Sequence, residues 1–317
     1  MIITGATGLL GSEIIRLSPH SKGLSSSDAD LTDPSAVKIL SSHLQLPLVT
    51  TDCPSVLIHC AARVGGVKAN TERVAEFYDD NERMNANVME AARIAGCKLV
   101  SAMSSCIYPD AGHVTYPLTE DQLHAGPPHP SNFGYAYSKR MLDVRARAYR
   151  QQWGCNFVNV IPNNLYGPND NYDLEGGHVI PALIRRFHEA KLLDMPSVTL
   201  WGSGRPLREF TFARDAARII LWVAENYNEP EPINIGNPEE ISIYKLAEMI
   251  RDLTGYKGSI GWDLNKPEGQ YRKPTSNHRL RKLGWNGEYT PLLDGLRETV
   301  QSFISEYPNV RGVTSGA

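Results

Sequence analysis

Three glycines spaced three apart, in Gly5-Ala6-Thr7-Gly8-Leu9-Leu10-Gly11, follow directly on the apolar run Met1-Ile2-Ile3-Thr4 and precede a helix read over residues 12–17. Strand, glycine turn, helix constrains the fold more than any other feature of the chain. The backbone must bend sharply and let the helix start close to the strand. The first helical turn then presents unpaired N–H groups and a partial positive charge, the features that hold a pyrophosphate. Gly5, Ala6, Thr7, Gly8, Leu9, Leu10 and Gly11 are therefore candidate cofactor-binding residues. Only Met1 to Thr4 precede the first glycine, so either the start is trimmed or the first strand is unusually brief.

The same pattern repeats along the chain. Residues 55–60, 98–103 and 157–161 are near-continuous apolar runs, expected of parallel strands covered on both faces. Helical stretches at 81–94 and 135–152 lie between them. Alternation of this kind predicts an α/β fold, a Rossmann-type doubly wound parallel sheet with right-handed crossovers. Beyond residue 165 the pattern loosens into loops rich in Gly, Pro and Asn at 167–171, 175–177 and 202–206. We read residues 1–165 as a dinucleotide-binding domain and 166–317 as a smaller C-terminal α/β substrate domain. A return segment falls near 210–240, with a late strand at 232–236. The length, 317 residues, suits two domains.

Composition narrows the partners. Lys and Arg total 32 against 35 Asp and Glu, a net charge of −3, so there is no basic excess for nucleic acid. No apolar run approaches the roughly 18 residues of a membrane helix, and the N-terminus lacks the regions of a signal peptide. The five cysteines, Cys53, Cys60, Cys97, Cys106 and Cys155, are odd in number and show no CxxC spacing. This argues against a disulfide framework and a structural metal site, and predicts a cytoplasmic setting.

Tyr135 and Lys139 lie one helical turn apart in Tyr135-Ala136-Tyr137-Ser138-Lys139. An ammonium beside a phenol favours the phenolate, and such a tyrosine can exchange a proton with a carbonyl or alcohol oxygen during hydride transfer. The lysine can also bond a ribose. Ser104 follows the strand at 98–103, at the carboxyl end where ligands bind in this architecture. Its hydroxyl can hold a substrate carbonyl. Ser105 could do the same, and spacing does not separate the two. The segment Leu24-Ser25-Ser26-Ser27-Asp28-Ala29-Asp30-Leu31, about twenty residues past the glycines, should set NAD against NADP. Its serines could bond a phosphate and its aspartates a ribose, so it leaves the choice open.

The glycine turn, Ser104 and Tyr135-x-x-x-Lys139 together resemble the extended short-chain dehydrogenase/reductase family. Finer segments resemble its bifunctional sugar-nucleotide 3,5-epimerase-4-reductases. They are Ala61-Ala62-Arg63-Val64-Gly65-Gly66, Ser104-Ser105-Cys106-Ile107-Tyr108-Pro109 and Asn132-Phe133-Gly134-Tyr135. Asn164-Leu165-Tyr166-Gly167-Pro168, Gly177-His178-Val179-Ile180-Pro181 and Trp201-Gly202-Ser203-Gly204-Arg205-Pro206 continue the match over nearly the whole chain.

The resemblance implies Ser104, Tyr135 and Lys139 as the reductase triad, and Cys106 and His178 as an acid/base pair for epimerisation. It places Arg186, Trp201, Arg208 and Lys273 around a GDP-sugar. Asp30, Leu31, Ala61, Ala62, Ala102, Met103, Pro162, Asn163, Asn164, Leu165 and His178 would touch the cofactor, with NADP(H) expected. The implied activity converts GDP-4-keto-6-deoxy-D-mannose to GDP-L-fucose in a homodimer. The residue types suit this chemistry. A 4-keto group acidifies the hydrogens at C3 and C5, a thiolate near neutral pH is a plausible base, and an imidazole a plausible acid. In two places the chain departs from the family pattern: the first strand is short, and Ser26 and Ser27 stand where members often carry a basic residue. A dehydratase would need an acidic pair where this chain has Ser105 and Cys106. A simple 4-epimerase has no use for Cys106 with His178, and a non-catalytic cofactor-binding protein often lacks Tyr135 or Lys139.

Overall fold

A computed structural model describes residues 1–45, 56–266 and 269–313. In chain order the elements of the first half are β1 (Ile2–Thr4), α1 (Leu9–Leu17), β2 (Lys22–Leu24), α2 (Ala36–Gln45), β3 (Val56–His59), α3 (Val67–Glu72), α4 (Val74–Ala95), β4 (Lys98–Ala102), α5 (Phe133–Trp153) and β5 (Phe157–Pro162). The second half holds β6 (Asn164–Tyr166), α6 (Val179–Leu192), β7 (Ser197–Trp201), β8 (Leu207–Phe212), α7 (Ala213–Asn226), β9 (Ile233–Ile235), β10 (Glu240–Ser242), α8 (Ile243–Thr254), β11 (Ser259–Asp263), α9 (His278–Lys282) and α10 (Leu292–Glu306).

Six parallel strands form one sheet in the order β2-β1-β3-β4-β5-β9. The reversal beside β1 is the switch point at which doubly wound sheets bind ligands. The apolar runs become its central strands: every residue of β1, β4 and β5 is buried. Two clusters cover the two faces. One gathers Leu40, Val88, Met89, Leu99, Leu142 and Phe157; the other gathers Ile14, Ile58, Val100, Val158, Ile220 and Ile233. A third, with Phe187, Phe212, Leu246 and Phe303, closes a second layer built from β10-β8-β6 and β11-β7. β9 comes from late in the chain and completes the first sheet by pairing with β5.

Boundaries differ from the sequence reading in ways that have local causes. α1 begins at Leu9, three residues before the predicted start, because the turn is complete at Gly8 and Gly11 lies inside the helix. α4 begins at Val74 rather than residue 81. Its first two turns are mostly exposed and only Phe77 is buried there, so the apolar period is faint. The predicted strand at 55–60 is seen as β3, and its Ser55 lies outside the described residues. Cys60, Cys97, Cys106 and Cys155 are free thiols, and Cys53 lies outside the described residues. No helix among the described residues is long and apolar enough to cross a membrane.

Candidate active site

At the glycine turn, Gly5 takes φ +70° and its carbonyl receives the Gly8 N–H at 3.0 Å. A Cβ on Gly11 would stand 2.2 Å from the Gly5 oxygen, so only glycine lets the helix start so near the turn. The first bond of α1 runs from Ser12 N–H to Gly8 O at 2.9 Å, and the N–H groups of Leu9, Leu10 and Gly11 lie ahead of it. No acidic side chain occupies that first turn.

From here a cleft of about 1060 Å³ opens. Gly5, Thr7, Gly8, Leu9, Leu10 and Gly11 line it, together with Asp30 and Leu31 beyond β2 and Ala61 and Ala62 beyond β3. Ala102 and Met103 at the end of β4, and Pro162, Asn163, Asn164 and Leu165 around the end of β5, complete that wall. Ala6 is not part of it; its N–H ties the turn to Leu24 O at 3.2 Å. The open face at Gly8 and the free helical N–H groups fit a dinucleotide diphosphate. Beyond β2, Ser25 and Ser26 reach the cleft. Ser25 is already committed to the Asp28 carboxylate, through its N–H at 2.8 Å and its hydroxyl at 2.7 Å. Those two bonds hold the Asp28 carboxyl below its ordinary range.

Ser104 leaves β4 in extended conformation, and its Oγ accepts the N–H of Cys106 at 3.4 Å across a single 3₁₀ turn. It lines the cleft. Ser105 is 3% exposed and receives the Lys273 ammonium at 3.2 Å, so the ambiguity between the two serines is resolved by position: Ser104 faces the cleft. Tyr135 opens onto the cleft from the first turn of α5, its ring edge-on to Phe77. Lys139, one turn on, is 2% exposed and donates to Ala102 O at 2.9 Å. Burial lowers its ammonium to about 8, against the pull of the Cys60 and Cys106 thiols. The expected lowering of the tyrosine is reversed. Burial pushes the Tyr135 phenol well up, the Cys106 thiol adds to this, and only the hydrogen bond with Ser104 opposes it. A phenol that keeps its proton is the state a donor needs.

Cys106 sits in the same 3₁₀ turn, behind Ser104 rather than on the cleft wall. Burial pushes its thiol up, while the Lys273 ammonium, the Ser104 hydroxyl and Lys139 pull it back. The thiolate expected near neutral pH is therefore disfavoured by this surrounding. His178 is the residue before α6; it is exposed, lines the cleft, and its carbonyl accepts the Ala182 N–H.

On the second layer, Trp201 at the end of β7 lines the cleft, half exposed. Arg208 of β8 also lines it, and among the described residues its guanidinium bonds only to carbonyls, Leu207 O at 2.7 Å and Tyr271 O at 3.2 Å. Burial lowers this guanidinium's pKa. A cation so placed, with no carboxylate bonded to it, suits an anionic group. Arg186 and Lys273 do not line the cleft: Arg186 donates to Leu174 O at 3.3 Å, and Lys273 stands behind it at Ser105 and Cys106.

A model of the NAD dependent epimerase/dehydratase family matches residues 1–236. The chain belongs to this family. The GDP-L-fucose synthase of Dictyostelium discoideum is 38% identical over 98% of this chain and 97% of that protein. The GDP-L-fucose synthase of Sinorhizobium fredii is 39% identical over 96% and 95%. A crystal structure of a GDP-L-fucose synthetase from Naegleria fowleri bound to NADP superimposes with TM-score 0.87 at 37% identity, covering 98% of this chain and 94% of that one.

Within this epimerase/dehydratase frame, the cleft includes residues that sequence reasoning passed over. Asp170 and Arg311 are the most consequential. Asp170 lies in the loop at 167–171, flagged only for its glycine, proline and asparagine. Arg311 is a lone basic residue near the end of the chain, with no local pattern that would mark it.

Proposed function

We propose that this chain is a bifunctional 3,5-epimerase and NADPH-dependent 4-reductase that converts GDP-4-keto-6-deoxy-D-mannose to GDP-L-fucose. The observation that carries this reading is one turn of chain. Residues 104–106 place a hydroxyl at the reductase tyrosine and a thiol two residues away, beside a buried lysine. The NADP-bound relative, and the GDP-L-fucose synthases similar over nearly the full length, support the cofactor and the substrate.

The glycine turn, Ala61, Ala62 and residues 162–165 would hold the cofactor, which would supply hydride to C4. Arg208 and Trp201 bind the GDP-sugar from the cleft wall, with Arg186 and Lys273 set behind it. Cys106 and His178 remove and return the protons at C3 and C5 through an enolate whose negative charge rests on the C4 oxygen. Ser104 holds that same oxygen, and Lys273 keeps a positive charge beside the thiol. Tyr135 then gives its proton to the C4 oxygen as the carbonyl is reduced, and Lys139 steadies the ribose side of the site. One carbonyl thus drives both reactions, by acidifying its neighbours and then by accepting hydride.

The division at 165/166, with the segment of α7 and β9 returning to the six-stranded sheet, gives each ligand its own half: cofactor on that sheet, sugar nucleotide on the second layer. A homodimer through the outward faces of α4 and α5 accounts for exposed Tyr78, Ile94, Val144 and Trp153 on those helices. The free thiols fit a cytoplasmic enzyme. The deciding experiment mixes the protein with NADPH and the keto-sugar nucleotide, follows absorbance, and identifies the product by NMR. GDP-L-fucose is the expected product. Oxidation of NADPH to an uninverted sugar, or none at all, would overturn the reading.

A further inference from the structure

The glycine turn offers a diphosphate N–H groups and the Thr7 hydroxyl, but no cationic side chain of its own. No basic side chain lies in Gly5-Ala6-Thr7-Gly8-Leu9-Leu10-Gly11, and the first cation of α1, Arg16, is paired with Glu13 at 2.7 Å. One other cation reaches the turn. The Nη1 of Arg311 stands 3.8 Å from where a Cβ on Gly8 would be, on the open face of the turn. Arg311 lines the main cleft with Gly5, Gly8 and Gly11, and among the described residues its guanidinium has no hydrogen-bond or ion-pair partner.

Its position is set by the second layer. The backbone carbonyl of Arg311 accepts the Tyr172 N–H at 2.9 Å, and the next carbonyl, Gly312 O, accepts Arg185 Nη1 at 2.9 Å. Val310, at the preceding position, packs against the third core cluster. The tail is thus fastened to the loop before α6 and to α6 itself, and projects one guanidinium across to the cofactor turn.

Asp170 supplies a second, independent observation. It is 4% exposed and lines the same cleft. One carboxylate oxygen accepts the Asn171 N–H at 2.8 Å, and the other has no partner. Burial pushes its carboxyl up, and the charges of His178 and Arg311 pull it down. A buried carboxylate without an ion-pair partner attracts the Arg311 guanidinium toward the cleft rather than outward into solvent.

We propose that Arg311 is a ligand of the cofactor's pyrophosphate, carried to the glycine turn by the C-terminal segment and held there by Asp170. The assignment rests on the dinucleotide reading of the cleft. Binding of a guanidinium to a diphosphate adds charge-assisted bonds to those the helix N–H groups make. It also ties the sugar-binding layer to the cofactor, since the tail is fastened to α6.

The test reads cofactor binding directly, by NADPH and NADH fluorescence titration without sugar nucleotide, so it stands whether or not the keto-sugar proves to be the substrate. Both cofactors carry the pyrophosphate; only NADPH carries the 2′-phosphate. Arg311→Gln should weaken both by about 10-fold, with Arg311→Lys in between and the melting temperature unchanged. Kd values within about twofold of the parent for both cofactors would overturn the proposal. Loss confined to NADPH would overturn it too, by assigning Arg311 to the 2′-phosphate.

Discussion

The parts of the cleft proposed for reduction and for epimerisation are built differently. Tyr135 and Lys139 share one helix, and Ser104 follows directly on a fully buried central strand; Lys139 is locked to the end of that strand. The residues we propose for epimerisation and sugar binding come from separate segments: Cys106 from a 3₁₀ turn, His178 from the mouth of α6, Trp201 and Arg208 from two strands of the second layer. His178 and Trp201 are exposed. In the proposed function, hydride transfer would rely on a preorganised, buried constellation, whereas proton transfer at C3 and C5 would rely on groups brought together across the cleft. The two halves should therefore be separable by substitution.

The largest separation is expected from Tyr135→Phe. NADPH oxidation should fall by about 10³-fold with cofactor affinity nearly unchanged, while deuterium exchange from solvent at C3 and C5 continues. Near-normal NADPH oxidation would remove Tyr135 as the proton donor. Cys106→Ser is the converse. Exchange should fall by about 10²-fold, because a hydroxyl is a far poorer base than a thiol near neutral pH, and NMR of the product should show direct reduction to an uninverted 6-deoxy sugar. If GDP-L-fucose still forms at close to the parent rate, Cys106 is structural and the comparison collapses.

A third experiment uses pH to sharpen the contrast. The Cys106 thiol is pushed up by burial and drawn down first by Lys273, with Lys139 and Arg140 also nearby and the Tyr135 phenol facing it. The thiolate fraction therefore rises with pH, and exchange at C3 and C5 should climb from neutral pH into the alkaline range. Lys273→Met removes the main opposing charge, drives the thiol further up, and should shift this climb alkaline, leaving exchange at neutral pH about 10-fold slower. An exchange rate flat with pH in both proteins would exclude the thiolate as the working base. The smallest effect is expected at Trp201→Ala. Half-exposed, Trp201 contributes little to the fold, so stability should change by no more than about 0.5 kcal/mol. The KM for the sugar nucleotide should rise several-fold while the Kd for NADPH stays put; a matched loss of both would mean the halves are not separate.

The sheet was legible because its signals are local. A glycine turn after an apolar run, and strands such as 98–103 and 157–161, announce themselves within a few residues. The amphipathic middle of α4 was legible for the same reason, and its exposed start was not. The triad's placement was half legible: the strand end and the helical spacing of Tyr135 with Lys139 lie in the chain, but Ser104 and Ser105 are chemically identical neighbours there.

The amino-acid sequence by itself determined the parallel α/β architecture, the glycine turn and the residue types of both chemistries, since each depends on neighbours along the chain. Only the tertiary structure decided which serine faces the cleft, where Ser105 turns away to Lys273, more than 160 residues further on. It also decided the direction in which the pKa values of Tyr135, Lys139 and Cys106 move. Spacing alone predicts a lowered phenol, whereas burial raises it, because desolvation is set by everything packed around a group and not by the charge nearest in sequence. The arrival of Arg311 at Gly8, across nearly the whole length of the chain, is of the same kind: a contact made by packing, with no trace in the local pattern.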